Sequence, residues 1–386
     1  AILASGMVLQ QNDSVSIWGW AGPGEKVFVT TGWNNKTDST ITSNLATWKL
    51  KVKTPTAGGP YTIDILSRNK ITLTDVLIGE VWVCSGQSNM EWSYANGTSD
   101  IAAEFPTAAN PNIRLFHIPK TGSDFPQDDV RANWTRCDSN TIRTFSSVGY
   151  FFGRKLQQEL NVPIGLVNAS WGGTPAETWT PERLVQDNPV LKAAAEKQSN
   201  LPWWPVAAGK AYNAMISPLT NFNIAGVIWY QGESNTVTHA SYQQLFTGMI
   251  DSWRAAWKKQ FPFYYVQIAP FKYGTSNIGA LLQEAQTGSM NHPNSGMVVV
   301  TDLVDSVTNI HPSRKKPVGE RLAAWALAET YGKQGLSYKS PQLTAAVLQK
   351  DKILLQFANA ASGFVSNGPT AKGFYVSALG QEKWFP

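Results

Sequence analysis

Val76-Leu77-Ile78-Gly79-Glu80-Val81-Trp82-Val83-Cys84, followed after Ser85 by Gly86-Gln87-Ser88-Asn89-Met90, is the stretch that decides the fold. An apolar run of this length reads as a strand buried on both faces, as in a parallel sheet. Ligands of open α/β sheets bind beyond the carboxyl ends of the strands. Ser88, just past such an end, therefore faces the crevice. A helix starting there would offer free N–H groups and its dipole to a developing oxyanion. The segment lacks the Gly-x-Ser-x-Gly elbow of many serine hydrolases. A helix cap is an equally good use of a serine here, so position alone leaves both readings open.

Working outward, further apolar strands are expected at Ile164–Ala169, Ala225–Tyr230, Phe263–Ile268 and Met297–Thr301. Between them lie helical stripes. Tyr242, Leu245, Phe246, Met249, Ile250, Trp253 and Trp257 recur at helical spacing, as do Val148, Phe152, Leu156 and Leu160. Alternating strands and helices predict an α/β domain with crossovers on both faces, over 74–335. Residues 1–73 read differently. Val15-Ser16-Ile17-Trp18, Lys26-Val27-Phe28-Val29 and Trp48-Lys49-Leu50-Lys51-Val52 alternate apolar and polar residues between turn signals such as Gly22-Pro23-Gly24. They predict a small N-terminal β-sandwich. After about 335 alternation returns in Lys352-Ile353-Leu354-Leu355-Gln356-Phe357 and near Gly373-Phe374-Tyr375-Val376, predicting a C-terminal β element over 336–386.

Composition narrows the function classes. Of 386 residues 42% are hydrophobic and only 15% charged, with 16 tryptophans. That balance suits a secreted or periplasmic protein handling neutral polar ligands such as sugars. The net charge of +5 is scattered. Its densest group, Arg314-Lys315-Lys316, begins a predicted helix and reads as solvated surface, not as a nucleic-acid stripe. No apolar run reaches the roughly 18 residues of a membrane span. The chain starts in strand-like sequence without a signal peptide, so an exported form would have lost it. Two cysteines make no disulfide framework, and Cys84 reads as a buried free thiol. Four separated histidines show no metal spacing, and no cofactor is expected.

Three more loops follow the strand candidates. Asn168-Ala169-Ser170-Trp171-Gly172-Gly173-Thr174-Pro175 offers a glycine pair whose backbone can approach a ligand. Trp229-Tyr230-Gln231-Gly232-Glu233-Ser234-Asn235 brings amides and a carboxylate to the same edge, or simply caps the next helix. Asn309-Ile310-His311-Pro312 supplies an imidazole, the base that a serine nucleophile needs. A histidine before a proline is by itself an ordinary loop residue. Convergence of all four loops on one sheet edge favours chemistry.

These blocks resemble those of the SGNH hydrolases, and the sialate O-acetylesterase branch in particular. Gly86-Gln87-Ser88-Asn89-Met90-Glu91-Trp92 matches the nucleophile block, Trp171-Gly172-Gly173-Thr174 the glycine block, Trp229 to Asn235 the third block, and Ile310-His311-Pro312 the histidine block. Gly6-Met7-Val8-Leu9-Gln10 and Trp18-Gly19-Trp20 resemble the β domain that often precedes them. The resemblance implies an SGNH-type, flavodoxin-like three-layer fold and a carbohydrate O-acetylesterase without metal or cofactor. Ser88 would attack the acetyl carbonyl and His311 would shuttle the proton. The Ser88 and Gly173 N–H groups would hold the oxyanion, with Gln231 ahead of Asn235 as the side-chain donor. The usual acid three residues before the histidine is missing, because Thr308 stands there and Asn309 follows. Asp305, Asp302 and Glu233 are the remaining acid candidates, and a Ser-His dyad is the alternative. Trp92 and Trp171 flank the blocks and are candidates for stacking on a sugar ring, against a core-packing role.

The expected substrate is an acetylated carbohydrate: O-acetylated sialic acid first, acetylxylan or another plant polysaccharide as the alternative. A non-catalytic sugar-binding protein is the remote third reading. Neither nucleic acid nor membrane is expected as a partner. Activity should fall as pH drops through the histidine pKa, about 6.5 for an unperturbed imidazole.

Overall fold

The computed structural model describes residues 1–361, 363, 374, 376–377 and 384–385. Residues 1–338 form one unit and 339–386 a second. The first unit contains strands β1 (Val8–Gln10), β2 (Ser14–Trp20), β3 (Lys26–Thr31), β4 (Lys36–Ile41), β5 (Thr47–Lys53), β6 (Gly58–Leu66) and β7 (Lys70–Gly86). They are followed by β8 (Asn110–His117), β9 (Trp134–Cys137), β10 (Ile164–Ser170), β11 (Gly226–Tyr230), β12 (Phe263–Val266) and β13 (Ser295–Val298). Its α-helices are α1 (Ser88–Glu91), α2 (Ser147–Leu160), α3 (Glu182–Gln186), α4 (Pro189–Ala195), α5 (His239–Trp257), α6 (Ile278–Gly288) and α7 (Lys316–Trp325).

The sheet runs β13-β12-β11-β7-β10-β8-β9, parallel throughout except for β9. The five strands anticipated from the apolar runs are β7, β10, β11, β12 and β13. Numbered in chain order, they lie 2-1-3-4-5. The β8–β9 pair extends the sheet beyond β10 and is absent from the sequence reading, because its polar, proline-containing start does not resemble a buried strand.

Period-2 alternation sorts the strands onto two cores. Val81, Val83, Val227, Trp229, Phe263 and Tyr265 pack with the α5 stripe on one face. Trp82, Cys84, Ile228, Tyr230, Tyr264 and Val266 pack with α2 and α7 on the other. Tyr242, Leu245, Phe246, Met249, Ile250, Trp253 and Trp257 of α5 are all buried. Burial of each such side chain contributes roughly 1.5–3 kcal/mol before chain entropy is counted.

The N-terminal strands build on the same scaffold. β3 pairs antiparallel with β4 and β6, and β6 with the first half of β7. β1 lies parallel to β7, while β2 and β5 form their own antiparallel pair. Val15, Ile17, Val27, Val29, Trp48, Val52 and Ile63 share one core. The boundary expected at 73/74 therefore falls inside a single 17-residue strand. Its first half faces the β unit and its second half the parallel sheet, so the change in sequence texture marks a change of neighbours and not a linker.

In the second unit, β14 (Gln342–Gln349) pairs antiparallel with β15 (Lys352–Ala358), and β16 (Val376–Ser377) with β17 (Trp384–Phe385). This unit begins at Lys339, three residues after the expected start of the C-terminal β element at 336. Gly373 and Tyr375, in the segment quoted for that element, lie outside the described residues. Both cysteines are free and buried. Among the described residues, no helix is long and apolar enough to cross a membrane, and no group of three His, Cys, Asp or Glu could hold a metal ion.

Candidate active site

Three parallel strands end level with one another. Gly86 of β7 is in register with Ser170 of β10 and Tyr230 of β11. Their loops leave the sheet at one edge and are tied together there. The Trp171 N–H donates to Gly86 O at 3.0 Å and the Gln87 N–H to Tyr230 O at 3.0 Å. Gly86 sits at φ +137°, and a Cβ there would lie 2.2 Å from Tyr230 O. Only glycine allows this turn. Helix α1 then starts at Ser88 with Gln87 as its N-cap. The hydroxyl of Ser88 is therefore not a cap, which removes the structural alternative left open by position.

His311 lies in the loop between β13 and α7. Its Nε2 is 2.8 Å from Ser88 Oγ. The Asn309 side-chain oxygen accepts the His311 backbone N–H at 2.9 Å, and the Trp92 indole stacks on the imidazole at 3.9 Å and 26°. Two elements far apart in sequence thus deliver a hydroxyl and a base within hydrogen-bond reach. Burial, with the Lys315 charge adding to it, pulls the imidazole down to about 4. The value near 6.5 expected from the sequence is corrected accordingly.

Gly173 has φ +81°, and Trp204 fills the space where its Cβ would stand, 2.4 Å away. Its carbonyl accepts the Ser234 hydroxyl at 2.9 Å. Among the described residues no acceptor takes the N–H of Gly173 or that of Ser88. Gly172 N–H is already given to Glu91. Gly173→Ala keeps the N–H, but its Cβ would meet Trp204 and strain the φ +81° backbone. The N–H should therefore move off the oxyanion and kcat should fall about 100-fold, the scale of losing one oxyanion donor, together with a lower melting temperature. Steady-state kinetics beside a melting curve check this; wild-type kcat per folded molecule in a variant whose melting temperature has fallen would exclude the donor role.

Gln231 does not fit the oxyanion role expected of it. Its amide N–H groups go to Asn235 Oδ1 at 2.7 Å and Thr174 O at 3.3 Å, and its oxygen accepts from Tyr242. Both donors are spent, and the residue is fully buried. Asn235 is likewise committed, donating to Glu177 and Thr238 while accepting from the Ala176 N–H. The third block is a buried brace between loops.

The acid candidates are placed elsewhere too. Asp302 forms a bidentate pair with Arg321, which holds its carboxyl below the usual range. Asp305 is exposed in the loop. Glu233 is buried and accepts from Asn89 at 2.5 Å, and burial pushes its carboxyl up. Among the described residues, no carboxylate hydrogen-bonds His311.

An open cleft of about 490 Å³ lies over the pair, lined by Trp92, Trp171, Gly173, Trp203, Trp204, Lys120 and Glu233 among others. Trp92 and Trp171 thus line the cleft, and Trp171 also packs against the core. Trp203, Trp204 and Lys120 were not singled out from sequence, because nothing local marks a residue for a pocket assembled by folding. Lys315 was misread: it is 1% exposed, not solvated, and donates to Asn89 Oδ1 at 2.6 Å. Burial brings its ammonium down to about 7. Its only sequence signal is its place four residues after His311.

Comparison with known proteins identifies the family. A family model described as "Carbohydrate esterase, sialic acid-specific acetylesterase" matches residues 78–328. The sialate O-acetylesterases of Homo sapiens and Pongo abelii are each 31% identical over 380 residues, covering 87% of this chain and 71% of theirs. A solved carbohydrate acetylesterase from Xanthomonas citri superposes with a TM-score of 0.88 at 32% identity, over 100% of this chain and 87% of that one. This chain belongs to the sialic acid-specific acetylesterase family of carbohydrate esterases.

Proposed function

We propose that this chain removes O-acetyl groups from a carbohydrate through a Ser88–His311 dyad on an SGNH-type scaffold. The observation that carries the reading is the 2.8 Å hydrogen bond between His311 Nε2 and Ser88 Oγ at the floor of an aromatic cleft. Support for the scaffold comes from the 2-1-3-4-5 order of the five strands and from loops gathered at their carboxyl ends. The shared core of β2, β5, β3 and β6 supports a β-sandwich over the first 73 residues.

Ser88 Oγ attacks the acetyl carbonyl while His311 Nε2 takes its proton. The oxyanion of the tetrahedral intermediate meets the Ser88 and Gly173 N–H groups. Collapse breaks the bond between the acetyl carbonyl carbon and the sugar oxygen, and His311 gives its proton to that departing oxygen. Water, deprotonated by His311, then attacks the acetyl-serine and releases acetate with Ser88 restored.

The curated relatives extend the reading to O-acetylated sialic acid. One observation favours the second reading, a neutral acetylated polysaccharide such as acetylxylan. Lys120 is the only Lys or Arg among the described lining residues, and it is bound to Glu91 at 2.9 Å. A sialate carboxylate would have to compete with Glu91 for it. Acetate release from acetylated xylo-oligosaccharides and from O-acetylated sialic acid, measured side by side, decides between them. We expect the xylo-oligosaccharide to be the better substrate by kcat/KM; the reverse order returns the sialate assignment.

A further inference from the structure

Asn89 is fully buried beside the nucleophile, and its side chain is saturated. An ammonium only donates, so the amide oxygen must face Lys315 Nζ, 2.6 Å away. That sets the amide nitrogen toward Glu233 Oε1 at 2.5 Å and Ile310 O at 3.0 Å. Asn89 directly follows Ser88, and Ile310 directly precedes His311. One amide therefore links the segments that carry nucleophile and base.

Its orientation is imposed from both sides. Lys315 and Glu233 are 1% and 6% exposed and flank Asn89, the one donating to its amide oxygen and the other accepting from its amide nitrogen. The second oxygen of Glu233 has no hydrogen-bond partner in the described structure. Turning the amide would put its NH2 group against Lys315 Nζ and its oxygen against Glu233 Oε1.

We propose that Asn89, clamped between Lys315 and Glu233, is the positioning residue that fixes the His311 loop against Ser88. The task is the one an orienting carboxylate performs in a Ser-His-Asp triad. The proposal rests on the Ser88–His311 reading above. It also gives Glu233 a role: it holds the amide, not the imidazole.

The test compares the purified full chain with Asn89→Leu, which keeps the branched shape and removes every hydrogen bond, using a chromogenic acetyl ester. We expect kcat to fall about 100-fold, the effect of a misplacement near one ångström, while KM changes little. A merely structural asparagine would lower the melting temperature and leave kcat per folded molecule unchanged, which overturns the proposal. Should Asn89→Leu not fold, Asn89→Asp decides. It keeps the size and the Lys315 contact but loses both amide donors, so a matching fall supports the proposal and wild-type kcat overturns it. Ser88→Ala in the same panel separates the two claims. Activity surviving there removes the underlying dyad; activity lost there but kept in the Asn89 variants removes only the clamp.

Discussion

Ser88→Ala is expected to cut acetate release by on the order of 10⁴-fold or more, the scale seen when a serine nucleophile is removed from an acyl-transfer site. The hydroxyl does one thing in this fold: it meets His311 Nε2. It caps no helix, so its loss should cost about 1 kcal/mol of stability at most, the net worth of one hydrogen bond. The melting temperature should therefore stay within a few degrees while activity disappears. His311→Ala should be nearly as deep. The double variant should be little worse than either single one, because nucleophile and base act as a unit. Additive losses would mean that the two side chains do not share a step. A Ser88→Ala variant with wild-type turnover would instead remove Ser88 as the nucleophile, whereas an unmodified chain inert toward a fluorophosphonate probe would return the sugar-binding reading.

The second large expectation concerns pH. His311 must be neutral to take a proton. Burial makes its charged form costly, and the Lys315 ammonium opposes the charge further, so its pKa is lowered to about 4. The sign follows directly: a lowered pKa keeps the base form at more acidic pH. At pH 5 about nine-tenths of the imidazole would remain neutral, against roughly 3% for an unperturbed histidine of pKa about 6.5. The acid limb of kcat/KM, which reports groups of the free enzyme, should thus bend near pH 4. Lys315 itself is lowered to about 7, by burial, with Glu233 and Asp100 working against the shift. It is charged throughout the acid limb and repels the imidazolium there. Above pH 7 its discharge removes that repulsion, but His311 is already neutral, so no second bend should come from this source. An acid limb near 6.5 would show that burial and Lys315 do not act on the base.

The strands and the Ser88–His311 pair were legible because their signals are local. A near-continuous apolar run has few other uses, and five of them with helical stripes between leave little besides a doubly wound sheet. Ser88 and His311 were legible for a related reason, since each sits in the loop after such a run. The β8–β9 extension was not, because β8 opens with Asn110-Pro111-Asn112 and only its second half is buried. The boundary expected at 73/74 lies within β7, which changes neighbours there while continuing as one strand.

The finer parts of the site depended on partners that sequence distance hides. Gln231 and Glu233 stand in one loop with the right chemistry for an oxyanion donor and an acid. Their roles were lost only when Asn235, Thr174 and Asn89 took up their hydrogen bonds. Lys315 looked like surface charge until folding placed it over Asn89, 226 residues away in the chain. Sequence alone determined the α/β sheet, the edge at which the four loops gather, and the serine and histidine that meet there. Tertiary structure decided which polar groups remain free to act and which are bound to one another. Periodicity and loop position are written along the chain, whereas the saturation of a buried hydrogen bond depends on neighbours that only folding supplies.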